Sequence, residues 1–119
     1  MPALTRVLGA VTTAYGVAIV AAPQVLARPC GLTTPTGGVT PDVRVLVSGI
    51  GARDAAVGAA MMLAPPGRPL QVALAARVAS DAADAAIFGL SLPDRAARKK
   101  VAVVAAGWAL LCAASALIR

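Results

Sequence analysis

Arg77, Asp81 and Asp84 stand four and then three residues apart in an apolar run from Leu70 to Leu90. That spacing puts all three on one face of a helix. Ser80 lies beside them, and Phe88 continues the stripe a turn further on. A second charged insertion, Arg53-Asp54, interrupts the preceding apolar run. Two guanidiniums offer forked donors to polar groups of a ligand, and three carboxylates offer acid–base chemistry. An ionised side chain at bilayer depth costs about 2.5–3.5 kcal/mol on insertion scales, so charges placed there must be paired and are candidates for function.

The connector Ala64-Pro65-Pro66-Gly67 sets the relative depth of the two charged runs. At the rise of an α-helix, Asp54 lies about 13 Å from that turn and Arg77 about 12 Å. The spacing therefore predicts pairs Asp54–Arg77 and Arg53–Asp81, with Asp84 left as the odd charge. An unmatched acid in apolar surroundings is expected to hold its proton and to donate it. Asp84 and Asp81 are thus the candidate catalytic residues. Arg53, Asp54, Arg77 and Ser80 are candidate ligand contacts, joined by Tyr15 of the first helix and Trp108 of the last.

Four helices must carry these groups. The first is expected over residues 3–22, ended or kinked by Pro23. Residues 28–40, rich in Pro, Gly and Thr, read as the long loop. Thr40-Pro41-Asp42 supplies a capping hydroxyl, a proline at the first helical position and an acid in the first turn, opening a helix over 41–63. Further helices follow over 69–90 and 95–118, the last capped by Asp94. The segment from Val7 to Ala22 is long for a signal peptide and is followed by more apolar chain, which favours a spanning helix. Gly51-x-x-x-Ala55-x-x-x-Ala59 reads as a helix-packing stripe.

Composition gives the same class. Of 119 residues 59% are hydrophobic and 13% charged, against roughly 25% charged in soluble domains, and mean hydropathy is +0.81. The expected fold is all-α, one integral membrane four-helix antiparallel bundle. Net charge is +6, but four cations cluster at Arg95, Arg98, Lys99 and Lys100 without interleaved aromatics. A cluster next to an apolar run is a topology signal rather than a nucleic-acid face. Loops 28–44 and 91–100 hold Arg28, Arg44 and those four, against Arg6, Arg68 and Arg119 on the other side. This bias predicts a cell-membrane protein with both termini extracytoplasmic. Histidine is absent, and Cys30 and Cys112 form no close pair, so neither a metal site nor another cofactor is expected, and both thiols are expected to be free.

Gly51-Ala-Arg-Asp-Ala-Ala-Val-Gly58 followed by Arg77-x-x-x-Asp81-x-x-Asp84 resembles small four-helix membrane proteins of unknown function, broadly the DoxX-like group. The resemblance covers nearly the whole chain and implies a bundle with polar residues inside, with no assigned reaction. Length and helix number are also similar to the small multidrug resistance transporters, but this chain has no glutamate and lacks their first-helix acid. Two readings follow. In one, the cluster acts on a lipophilic small molecule by cofactor-independent isomerase or cyclase chemistry. In the other, a non-catalytic bundle or small transporter subunit uses the ion pairs to set helix register or relay ions. The partners implied are membrane lipid and a lipophilic small molecule, with a homo-oligomer as an option and no nucleic acid.

Overall fold

The computed structural model describes residues 3–117, and among these the chain is helical, without strands. Four long helices, α1 (Ala3–Ala21), α3 (Pro41–Leu63), α4 (Arg68–Ser91) and α5 (Arg95–Ser115), are accompanied by a single turn, α2 (Gln24–Ala27). That turn makes five helices where four are expected. Pro23 is the cause: it has no N–H to continue α1, but its φ of −55° suits a new helical start. The expected helix end at Ile118 and the place of Arg119 in the charge balance lie outside the described residues.

The remaining boundaries follow local chemistry. Thr40 Oγ1 accepts from the Val43 amide at 3.3 Å and Pro41 opens α3. Gly67, at φ +95°, turns the chain into α4 one residue ahead of the expected start, a backbone region that favours glycine. Asp94 Oδ1 accepts from the Ala96 amide at 2.9 Å and from the Ala97 amide at 3.4 Å, capping α5. Arg6 reaches across from α1 to the end of α3, donating to the carbonyls of Met61 (3.1 Å) and Met62 (2.9 Å). Those carbonyls are unpaired by the helix itself and carry its negative end.

The four long helices are arranged as two close pairs. α1 packs antiparallel on α3, and α4 on α5, with lighter contact between α3 and α4. The first pair is built on glycines: Gly9 lies against Gly58 and Met61, and Gly16 against Gly51 and Ala55. Each helix therefore carries two glycines seven residues apart on one face, and Gly51 and Ala55 of the expected α3 stripe lie in the seam together with Gly58. α1 and α5 meet where Thr5 Oγ1 and Ser115 Oγ hydrogen-bond at 2.8 Å. Leu8, Met61, Ala73, Leu74 and Cys112 form a core near that end, and Cys30, Leu92 and Ala97 form another at the opposite end.

Candidate functional site

The five charged side chains converge between α3 and α4. Arg77 is 1% exposed. It donates from Nε and Nη2 to the two oxygens of Asp81 at 3.0 and 2.5 Å, and from Nη1 to Asp54 Oδ1 at 3.0 Å. Arg53 grips both oxygens of Asp84 at 3.0 and 2.6 Å, and also donates to Asp54 Oδ1 from Nε (3.3 Å) and Nη2 (3.0 Å). Asp54 thus bridges the two arginines, and the fork geometry of guanidinium on carboxylate makes both pairs strong.

The expected pair Asp54–Arg77 is present. The other expected pair is not: Asp81 is bound by Arg77 and Arg53 reaches on to Asp84. Residues four apart on one helix are already neighbours, so Arg77 takes Asp81 without crossing between helices. That frees the long Arg53 stem for the next carboxylate. Asp84 is therefore not the odd charge, and the ground for assigning it a retained proton is removed. The incompletely used carboxylate is Asp54. Its Oδ1 accepts three bonds, while Oδ2 accepts none from any described residue. No fully enclosed side-chain oxygen or nitrogen lacks a partner among the described residues, so Oδ2 is one that a visiting group can touch.

A cavity of about 420 Å³ opens beside the cluster, between the α1–α3 and α4–α5 pairs. Asp54, Arg77, Asp81 and Asp84 line it, as do Tyr15 of α1 and Trp108 of α5. Arg53, bound to Asp54 and Asp84 and partly exposed, and Ser80, half-buried, are not part of the lining. The rest of the wall is largely apolar: Val11 of α1, Ile50 of α3, Phe88 of α4, and Val101 and Val104 of α5. Thr12 also lines it, with its hydroxyl committed to the Leu8 carbonyl at 2.8 Å. Lys100, read from sequence as a topology signal alone, lines the cavity too. A depth estimate would have found it: measured from the Leu92–Asp94 turn, Lys100 lies about 10 Å along its helix and Asp84 about 13 Å. Val25, Leu26 and Pro29, around the short α2, contribute to the lining and carry no sequence signal for it.

α1 and α3 are each long and apolar enough to cross a membrane. Comparison with protein-family models, with curated proteins and with solved structures returns no match to this chain.

Both cysteines are free and buried. Cys30, in the turn after α2, is 1% exposed. Burial pushes its thiol up from the ordinary value of 9.0, and the nearby Asp84 carboxylate adds to the rise. The thiolate is the nucleophile, so alkylation of Cys30 by iodoacetamide at pH 8 should be slower in the folded protein than in the denatured chain. Because the pKa is raised, the folded protein's rate should also climb at higher pH than that of free cysteine. Mass spectrometry of a time course checks this; equal rates in the two states would contradict the buried placement.

Proposed function

We propose that this chain is a multi-pass membrane protein, of the broad kind represented by the DoxX-like group, whose interhelical cavity holds the polar end of a lipophilic small molecule. The observation that carries the membrane part is an inverted distribution of polarity. The ionic cluster lies inside, while Val7 and Val17 of α1, Val45 of α3, Val72 and Ile87 of α4, and Val103 and Leu110 of α5 are exposed. Outside the cluster, the charges of the described residues lie in loops or in the first two turns of a helix. Apolar middle zones between charged ends match a hydrocarbon layer about 30 Å thick, which a 23-residue helix such as α3 spans at about 34 Å. The basic loops around residues 28–44 and 91–100 then lie in the cytoplasm, with both termini outside.

The ligand part rests on the cavity: apolar walls ending on a buried polar floor are the usual form of a small-molecule site. Binding is better supported than proton transfer, because both oxygens of Asp81 and of Asp84 already accept from arginine. The pairing also gives the cluster a structural task, since it ties together two helix pairs that touch only lightly between α3 and α4.

The test is to purify the protein from alkali-washed membranes in mild detergent and analyse bound compounds by mass spectrometry, beside Ala105→Phe. Ala105 lines the cavity on α5, so a phenyl group there should fill it. A lipophilic compound enriched in the wild type and depleted in the variant is the expected result. Release of the protein by the alkaline wash, or identical compounds in both samples, would refute the reading.

A further inference from the structure

The chain contains one Phe, one Tyr and one Trp, and all three, Phe88, Tyr15 and Trp108, line this one cavity from three different helices. Three aromatics in 119 residues is a small stock, and the fully buried core positions are filled by aliphatic, Met and Cys side chains, with Trp108 and Phe88 also packing against the core. Aromatic faces attract cations, most strongly where water is excluded. The floor beneath them has the matching charge. Two guanidiniums face three carboxylates, leaving one formal negative charge in excess. The single carboxylate oxygen of the cluster without a partner among the described residues, Asp54 Oδ2, belongs to a residue that is 6% exposed and lines the cavity.

From these observations we infer that the cavity accepts a lipophilic organic cation, an amine whose protonated nitrogen donates to Asp54 Oδ2 and whose apolar body lies among Tyr15, Phe88 and Trp108. The inference rests on the ligand-binding reading above and specifies the ligand's charge. A cation restores charge balance at the floor, and an ammonium supplies the donor that Asp54 Oδ2 lacks. An anion would meet three carboxylates, while a neutral alcohol would satisfy the oxygen but leave the excess charge. Among the described residues, Lys100 is the one lining cation other than Arg77. It is exposed and makes no ion pair with the cluster, as suits a lysine whose long stem carries its charge to water.

The single tryptophan gives the measurement a built-in reporter. Trp108 fluorescence would be titrated in detergent with 1-aminoadamantane, 1-adamantanol and 1-adamantanecarboxylate, which share one apolar body and differ in head group. Saturable binding of the amine, weaker by about tenfold for the alcohol and absent for the carboxylate, is expected. Asp54→Asn should weaken the amine by about tenfold and leave the alcohol nearly unchanged, and Lys100→Gln should tighten the amine modestly. If Asp54→Asn does not fold, the comparison of the three compounds on the wild type still decides. Alcohol or carboxylate binding as tightly as the amine would overturn the charge assignment while the cavity reading stands. No saturable binding of any of the three would overturn both.

Discussion

Replacing Arg77 with alanine should destabilise the protein by about 3–5 kcal/mol, the range for removing one partner of a buried ion pair. Arg77 is enclosed, and its three donating nitrogens serve two carboxylates. Without it Asp81 has no hydrogen-bond partner among the described residues, Asp54 keeps only Arg53, and one cation is left against three acids. The loss comes from stranded charge more than from the missing bonds, which gives a second expectation. Arg77→Leu combined with Asp81→Leu removes one charge of each sign and should recover part of the stability lost in Arg77→Ala, because a buried pair replaced by apolar groups of similar size is often close to neutral. Arg77→Lys should fall between, since one ammonium cannot reproduce a fork that holds both Asp81 oxygens while reaching Asp54. Thermal unfolding in mild detergent would rank the variants. An Arg77→Ala protein as stable as the wild type would mean the cluster is wetter and less coupled than its geometry implies.

The same cluster shows how far sequence reading carries. Helical spacing was enough to place Arg77, Asp81 and Asp84 on one face, and the rise per residue was enough to bring Asp54 level with Arg77. Partner choice was harder to read, because depth along an axis says nothing about which acid a nearer arginine has already taken. The intrahelical pair Arg77–Asp81 decided that, and with it moved the unsatisfied oxygen from Asp84 to Asp54. Caps were local and therefore legible: Thr40, Pro41 and Asp94 act where their types predict. The cavity was not. It exists because α1 docks on α3 while α5 docks on α4, and residues of both pairs, Tyr15 and Trp108 among them, border the space between. Those two residues are far apart in the chain, and the tertiary arrangement decides that they border one space.

That arrangement depends on the α1–α3 seam, where the second large effect is expected. A Cβ added at Gly16 would lie 2.5 Å from the Gly51 carbonyl oxygen and 2.6 Å from the Ala55 amide nitrogen; one added at Gly51 would lie 2.6 Å from the Gly16 carbonyl oxygen. These obstacles are backbone atoms, so no rotamer change relieves them and the helices must separate. Gly16→Val and Gly51→Val should each cost about 1–3 kcal/mol or more, as overpacking of close interfaces does. Their effects should fall short of additive in the double variant, because the first separation already makes room for the second side chain. Gly49 is the control on the same helix: a Cβ there meets nothing within 4 Å, so Gly49→Ala should stabilise by up to about 1 kcal/mol through helix propensity alone. Since α1 carries Thr12 and Tyr15 into the cavity wall, separating the seam should also weaken ligand binding, whereas Gly49→Ala should leave it unchanged. Unfolding and Trp108 fluorescence on the same samples test both halves. Gly16→Val behaving like Gly49→Ala would show that α1 does not rest on α3 at these glycines, and the wall holding Tyr15 would have to be placed elsewhere.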